Sequence, residues 1–231
     1  MIESNNNAAG QPRSRPLTAV VLISGNGSNL QAIIDAIKNE NLPLEIRAVI
    51  SNQASAFGLQ RAKNAGIHTE ILNHKDFPTR ESFDQALQNL IDDFSPQLII
   101  LAGFMRVLST AFVKHYEGRM INIHPSLLPR FRGLNTHQRA IDAKVSIHGA
   151  TVHYVTPEVD DGPLIIQAQV PLSPHDTAKT LMARVLAAEH RIYPIAIRWI
   201  AEGRLRWKDG ELFFDGDLLK QPKIYANRQT S

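Results

Sequence analysis

The chain alternates short, almost wholly apolar runs with segments whose apolar residues recur every three or four positions. Runs that are apolar on both faces are typical of buried parallel strands, and the three-to-four spacing is typical of helices that cover a sheet. The pattern predicts strands at 17–24, 45–51, 68–72, 97–102 and 120–124, with helices at 30–39, 56–65 and 79–94 between them. It therefore predicts an α/β, single-domain, Rossmann-like fold, an open twisted and mostly parallel sheet with helices on both faces.

The pattern changes after residue 130 and predicts an antiparallel C-terminal portion. Arg130-Phe-Arg-Gly133 predicts a mobile stretch before a short helix at 136–143. Strands at 150–155 and 164–172 form an antiparallel-looking pair. A long helix at 177–199 should have a kink or break at Pro194, and Asp209-Gly210 between apolar runs indicates a hairpin.

The domain boundaries follow from composition. Residues 1–16 are rich in Asn, Ser, Ala and Pro, and they predict a disordered N-terminal tail because they bury too little apolar surface to order themselves. Residues 17–231 then form one domain that ends in the hairpin, since 231 residues with 43% hydrophobic content suffice for one full core.

Composition also narrows the function classes. The chain has no cysteine, which excludes disulfides and thiolate chemistry, and no histidine pair has the spacing of a metal helix, so we expect no metal. The formal charge of +3 is small, and the basic residues are scattered, so we expect no nucleic acid partner. Without a signal peptide or a membrane-length apolar run, we expect a cytoplasmic protein that acts on small molecules.

The strand at 120–124 delivers two polar side chains to its carboxyl end. Asn122 and His124 are two residues apart, so they face the same way, and Pro125 holds His124 extended. An amide donor beside a titratable ring suits a reaction that gathers negative charge on oxygen, such as acyl transfer. Taken alone, an Asn-x-His at a strand end is more often a polar cap.

A glycine turn, Gly25-Asn-Gly-Ser-Asn29, links the first strand to the first helix. Its free amides and the positive helix end would suit a phosphate, although the same turn occurs in proteins that bind none. A dinucleotide is disfavoured, because Leu30 replaces the third glycine of the fingerprint and the second strand is followed by Asn52 rather than an acid. The pattern favours a monophosphate.

Two loops should lie on the same rim of the sheet. The strand at 97–102 breaks at Gly103-Phe-Met-Arg106, where a flat heteroaromatic ring would fit or where Phe104 and Met105 would simply roof the core. The turn at 157–163 carries Glu158, Asp160 and Asp161, and acids in surface turns are usually solvated.

Four motifs in this order resemble the phosphoribosylglycinamide formyltransferase family. They are SGNGSNL at 24–30, LAGFMRVL at 101–108, INIHPSLLP at 121–129 and HYVTPEVDDGPLI from His153. The resemblance implies transfer of a formyl group from the co-substrate 10-formyltetrahydrofolate to the amine of glycinamide ribonucleotide in purine synthesis, without a metal or a covalent enzyme intermediate.

Carried over by matching positions, the resemblance also implies roles for individual residues. Asn122, His124 and Asp160 would be catalytic, with His153 in support. The ribonucleotide would bind Gly27, Ser28, Asn29 and Glu189. The folate would bind Arg80, Met105, Arg106, Val107, Leu108, Thr156, Pro157, Glu158, Val159 and Asp160. Asn135 stands where some bacterial relatives have a histidine, and Pro157 alters the acidic loop.

Other functions share parts of this pattern. Methionyl-tRNA formyltransferase and formyltetrahydrofolate deformylase are similar at the Asn, His and Asp positions, but each would add a further domain that a chain of this length does not accommodate. A non-catalytic nucleotide-binding module is an alternative from another class. The sequence does not fix the oligomeric state.

Overall fold

An eight-stranded sheet organises residues 15–225, the part of the chain that the computed structural model describes. The predicted tail at 1–16 lies outside this part except for Arg15 and Pro16. The strands are β1 (Leu17–Ile23), β2 (Leu44–Ser51), β3 (Thr69–Ile71), β4 (Leu98–Leu101), β5 (Met120–His124), β6 (Ile147–Tyr154), β7 (Leu164–Pro171), β8 (Leu205–Lys208), β9 (Glu211–Phe214), β10 (Asp217–Leu218) and β11 (Lys223–Tyr225).

The large sheet has the order β11-β7-β6-β5-β4-β1-β2-β3. Pairing is parallel from β3 through β5, antiparallel between β5, β6 and β7, and parallel again between β7 and β11. The mostly parallel sheet and its antiparallel continuation are confirmed. A separate three-stranded sheet joins β8, β9 and β10, and Asp209-Gly210 form the turn between the first two.

Helices cover both faces of the sheet, as predicted. They are α1 (Ser28–Asn39), α2 (Phe57–Asn64), α3 (Arg80–Asp93), α4 (Thr110–His115), α5 (Thr136–Asp142) and α6 (Ala178–Ala201), with a short 3-10 turn at His74–Asp76. Residues of α1, α2 and α6 belong to one hydrophobic core, and residues of α3 and α4 belong to the other. Alternate residues of β1 serve the two cores, which explains why that strand is apolar throughout.

The site-forming edge of the sheet lies where the strand order reverses. The chain leaves β1 for β2 on one side, whereas β4 pairs with β1 on the other, and this reversal opens a crevice beyond their carboxyl ends. Ser24 links the two loops across it: its amide donates to Gly103 O at 3.0 Å, and its hydroxyl accepts from Met105 N–H at 2.8 Å. The glycine turn and the Gly103 loop are therefore held in fixed relation.

Three features differ from the sequence predictions. Helix α4 has only six residues, which is too short for a helical period to appear. Strand β11 adds an edge to the large sheet that no pattern indicated. Helix α6 does not break at Pro194; burial of Tyr193, Pro194 and Ile197 in the core holds it together despite the missing backbone donor. Within residues 15–225, no helix is long and apolar enough to cross a membrane.

Candidate active site

A cavity of about 560 Å³ lies beyond the carboxyl ends of β4 and β5. Its lining combines apolar side chains with Asn122, His124 and Asp160, the three residues that the sequence predicts to be catalytic. Tyr193 of α6 stabilises this end of the sheet, because its buried hydroxyl is within hydrogen-bond distance of Leu101 O, at 2.9 Å, and of Ile121 O, at 3.2 Å. Asn122 and His124 therefore project from a braced strand end, a rigid base for a reaction site.

The orientation of the Asn122 amide is set by His153 on the adjacent strand. His153 Nδ1 lies 2.8 Å from Tyr154 O, and a carbonyl can only accept, so Nδ1 carries a proton. Burial lowers the pKa of His153 and keeps the ring neutral, although the Tyr154 carbonyl and Asp160 oppose the shift. Its Nε2 is then an acceptor for Asn122 Nδ2 at 3.3 Å. One amide N–H of Asn122 is thereby occupied, and the second is left for a ligand.

Both ring nitrogens of His124 face acceptors. Nε2 lies 3.0 Å from Phe131 O, and Nδ1 lies 3.3 Å from Asp160 Oδ2. The Phe131 carbonyl can only accept, so Nε2 carries a proton, and Nδ1 forms an ion pair with the Asp160 carboxylate when the ring is protonated. The side chains of His124 and Asp160 are only 8% and 9% exposed, which strengthens this pairing relative to one in water.

Asp160 is distinguished from its acidic neighbours by burial. Its Oδ2 also accepts from Gly133 N–H at 2.9 Å, whereas Glu158 is exposed and Asp161 pairs with Arg132 at the surface. Asp160 Oδ1 lies 3.7 Å from His153 Nε2, but the neutral state of that ring means that this approach is not an ion pair. The turn pattern alone does not separate the three acids, and only the family resemblance singled out Asp160.

The glycine turn forms a second group of buried polar residues. Helix α1 begins at Ser28, preceded by Gly27 with φ 72, a conformation that suits glycine. A Cβ on Gly27 would lie 2.5 Å from Gly58 Cα of α2, so close packing also requires glycine here. Asn29 Nδ2 donates to Glu189 Oε2 of α6 at 2.7 Å, while Asn29 Oδ1 is buried and has no protein partner.

Glu189 has an unusual protonation equilibrium. It is 7% exposed, and burial raises the pKa of its carboxyl to about 7, with the Asn29 hydrogen bond working in the opposite direction. Neighbouring Asn29 is neutral, so the carboxylate gains a hydrogen bond but no compensating charge. At neutral pH this carboxyl is thus divided between its two forms.

Ser28 lines a separate cavity, also of about 560 Å³, between α1 and α6. Arg61, His190 and Arg191 lie along the same lining. Arg61 is fixed by the glycine turn, since its guanidinium donates to Asn26 O at 2.9 Å and to Asn26 Oδ1 at 3.1 Å. The Ser28 end of this cavity is therefore basic as well as close to the helix N-terminus.

Most residues predicted to bind folate line the first cavity. Met105 and Val107 are exposed at its rim, Leu108 is buried, and the segment 156–160 closes the opposite side. Arg106 presents a buried Nε without a hydrogen-bond partner. Arg80 is the exception: it opens α3, pairs with Glu81 at 3.3 Å, and is not among the described residues that line the cavity.

Two residues contact the predicted catalytic side chains in ways that no sequence pattern indicates. Phe131 acts through its backbone carbonyl, which any residue type would supply, and Gly133 acts through its backbone N–H. Phe104 is buried against the core and also lines the cavity, whereas Met105 protrudes beside the cavity and does not roof the core. Among residues 15–225 there is no group of three or more His, Cys, Asp or Glu side chains arranged to hold a metal ion.

Comparison with known proteins agrees with these features. The family model described as "Formyl transferase" matches residues 17–197. Phosphoribosylglycinamide formyltransferase of Escherichia coli is 51% identical over 210 residues, covering 91% of this chain and 99% of that protein. A bovine trifunctional purine biosynthetic protein, adenosine-3, is 48% identical over 80% of this chain, which corresponds to 18% of its own length.

Solved structures give the same result. That of phosphoribosylglycinamide formyltransferase from Coxiella burnetii superposes with a TM-score of 0.88 and 55% identity, covering 92% of this chain and all of that one. The identity and the near-complete coverage on both sides extend the resemblance well beyond the four motifs. The chain belongs to the phosphoribosylglycinamide formyltransferase family.

Proposed function

We propose that this chain transfers the formyl group of 10-formyltetrahydrofolate to the amine of glycinamide ribonucleotide. The products are formylglycinamide ribonucleotide and tetrahydrofolate, in a cytoplasmic step of purine synthesis. The observation that carries the proposal is the convergence of Asn122, His124 and Asp160 on one cavity, in a chain of this family. The cavity volume of about 560 Å³ is within the usual range for small-molecule sites.

Asn122 and His124 stabilise the transition state. When the substrate amine attacks the formyl carbon, the carbonyl oxygen becomes an oxyanion. The second N–H of Asn122 donates to it, and the protonated His124 ring, oriented by the Phe131 carbonyl and close to Asp160, lowers its energy. Both side chains are held in place before the reaction, so little free energy is lost in reorienting them as the oxyanion forms.

Asp160 keeps His124 charged and assists the proton transfer. Collapse of the intermediate breaks the bond from the formyl carbon to N10 of the folate. A proton leaves the attacking amine and one is gained by N10, so the net change is a proton transfer between two nitrogens. Asp160 lies at the cavity wall beside His124, where its carboxylate relays that proton through water.

The ribonucleotide binds at the start of α1. The backbone of Gly27, Ser28 and Asn29 and the positive helix end receive the phosphate, next to a cavity lined by Arg61 and His190. Glu189 accepts from the ribose hydroxyls. The unpartnered Asn29 Oδ1 offers these ligand hydroxyls a further acceptor, which explains a buried polar atom that the protein itself leaves unsatisfied.

The folate occupies the apolar part of the first cavity. Its ring system lies against Met105, Arg106, Val107 and Leu108, and the segment Thr156-Pro-Glu-Val-Asp160 closes over it. Arg80 meets the charged end of the folate outside the cavity. Asn135 and Pro157 line the same cavity, so these two differences from some relatives bear on folate contacts.

One assay separates this proposal from its rivals. Tetrahydrofolate release from 10-formyltetrahydrofolate is followed with glycinamide ribonucleotide, with formyl-accepting methionyl-tRNA, and with water alone. We expect turnover only with the ribonucleotide. Turnover in water alone would indicate a deformylase, turnover with tRNA would indicate the tRNA enzyme, and binding without turnover would indicate a nucleotide-binding module.

A further inference from the structure

Phe131 has a backbone conformation that is unusual for its residue type. Its φ is 57, in the left-handed region where a bulky side chain is disfavoured. A residue is held in such a conformation only when its surroundings determine it, and such sites cluster around functional groups. The carbonyl of Phe131 accepts from His124 Nε2–H at 3.0 Å, so the unusual backbone lies in direct contact with the proposed catalytic ring.

The Phe131 ring is held on several sides. The guanidinium carbons of Arg130 and Arg139 lie 5.2 and 5.7 Å from its centroid. The His148 ring meets it edge to face, with 5.8 Å between centroids and 73° between planes. Both distances and orientations suit cation–π and aromatic contacts. The ring is therefore an anchor that resists rotation of the Phe131 backbone.

His148 contributes packing and no hydrogen bond to this anchor. It is 1% exposed, and neither buried ring nitrogen has a hydrogen-bond partner of good geometry, although the Pro125 backbone lies close enough to oppose part of the pKa shift. Burial lowers the pKa of His148 to about 4, with nearby His137 acting in the same direction. The ring is thus neutral at pH 7 and adds no positive charge beside the two guanidiniums.

Backbone contacts extend the anchor to Asp160. Two residues after Phe131, Gly133 N–H donates to Asp160 Oδ2 at 2.9 Å. The carbonyl between them, Arg132 O, accepts from Arg139 Nη1 at 2.6 Å. Residues 131–133, which we call the clasp, therefore contact His124 at one end and its carboxylate partner at the other.

We propose that Phe131 is a positioning residue for His124. Its anchored ring and left-handed backbone aim the carbonyl at Nε2, so that His124 keeps a proton on this nitrogen and presents one fixed face to the cavity. The other titratable groups around the His124 ring are Asp160, His137, His148 and His153. The inference rests on the proposed role of His124 and adds to it a residue that the sequence presents only as part of a loop.

The first test compares Phe131→Val with Phe131→Gly. Valine disfavours the left-handed region strongly, whereas glycine accepts it and removes only the ring. We expect Phe131→Val to lower kcat roughly 10- to 100-fold, since a small misplacement of a reacting group has effects of that size. Each KM should stay within about twofold, and Phe131→Gly should retain more activity.

The second readout is independent of turnover. In the ¹⁵N-histidine-labelled full chain, the His124 Nε2–H proton should give a slowly exchanging downfield resonance, assigned by its absence in His124→Ala. Phe131→Val should lose this resonance. Unchanged kcat together with an unchanged resonance would overturn the inference. If the parent chain transfers no formyl group, the proposed function fails, while the resonance still reports whether the clasp exists.

A matched pair at His148 covers the case in which Phe131→Val does not fold. His148→Phe keeps an aromatic ring against Phe131 and removes two nitrogens that lack a well-formed hydrogen bond, so kcat should stay within about twofold of the parent. His148→Ala removes the ring and should lower kcat about tenfold, with loss of the same resonance. Equal kcat in both variants, with the resonance intact in both, would contradict the inference.

Discussion

Glu189 and Asp160 are carboxylates whose side chains are both largely shielded from solvent but have very different partners. Glu189 is 7% exposed, and the Asp160 side chain is 9% exposed. Glu189 receives one hydrogen bond from the neutral Asn29 amide, and its pKa rises to about 7. Asp160 faces the His124 ring at 3.3 Å and receives the Gly133 N–H. Burial alone therefore does not determine what a carboxylate can do.

The difference fits two kinds of work. A carboxyl that changes charge near neutral pH can become an anion when ligand hydroxyls arrive to compensate it, which suits binding. A carboxylate paired with an imidazole on the cavity wall supplies a fixed charge distribution, which suits a transition state. On this view, substitutions beside Asp160 change kcat, and substitutions beside Glu189 change affinity for the ribonucleotide.

The largest loss of kcat is expected from substitutions on β5, the strand that carries Asn122 and His124 beside Asp160. Asn122→Ala and His124→Ala should each lower kcat by about 100- to 1,000-fold, because each removes a group that stabilises the oxyanion. Neither side chain is part of the two hydrophobic cores, so folding should be preserved. Steady-state turnover and thermal unfolding measure the two quantities. Near-normal kcat in either variant would contradict the proposed mechanism.

Asp160→Asn should have the next largest effect and gives the direct comparison with Glu189→Gln. The amide keeps the shape of Asp160 but removes the charge opposite His124, so kcat should fall roughly 100-fold, at the lower end of acid–base contributions. Both substrate affinities should change little. Glu189→Gln should show the reverse, with a weaker ribonucleotide complex and a nearly normal kcat. If both variants lost kcat alone, the two carboxylates would not differ in function.

The sequence predicted the sheet well because its signal is repeated. Strands such as β1 and β4 are apolar on both faces, and α1, α3 and α6 show a helical period over at least three turns. Helix α4 is too short to carry a period. The continuity of α6 through Pro194 depends on core packing, which local propensity does not record.

The candidate site was predictable only where side chains carry the chemistry. Asn122 and His124 lie two apart on one strand, so their convergence follows from strand geometry. Contacts such as that of Asn29 with Glu189 join residues 160 positions apart, and only the family resemblance indicated them. Neither strand geometry nor the family resemblance indicated the Phe131 carbonyl, because its position results from a backbone conformation that tertiary packing imposes.

Ser28→Asp tests the Glu189 side with a smaller expected effect. The substitution places a carboxylate at the helix end proposed to hold the phosphate, where like charges repel. Affinity for the ribonucleotide should fall about 10- to 30-fold, or roughly 1.4 to 2 kcal/mol. Affinity for the folate should be unchanged, since Ser28 is not among the described residues that line that cavity. Calorimetry with each ligand would decide, and equal losses would indicate general damage.

The smallest effect is a pH dependence of ribonucleotide affinity, which we assign to Glu189. An ionised carboxylate accepts from both ribose hydroxyls, whereas a protonated one offers less acceptor capacity and uses a proton of its own. With a pKa of about 7, the ionised fraction rises through neutral pH. Ribonucleotide affinity of the parent chain should therefore increase roughly three- to fivefold between about pH 6.5 and 8.5.

Glu189→Gln provides the control for that measurement. The phosphate and the amine of the ligand also titrate in this range, but their ionisation is the same with either protein. The ratio of the two dissociation constants at each pH therefore reports the Glu189 proton alone. We expect this ratio to shift in favour of the parent as the pH rises. A constant ratio would mean that Glu189 does not change charge when the ribonucleotide binds, and the contrast with Asp160 would then lie in position rather than in protonation.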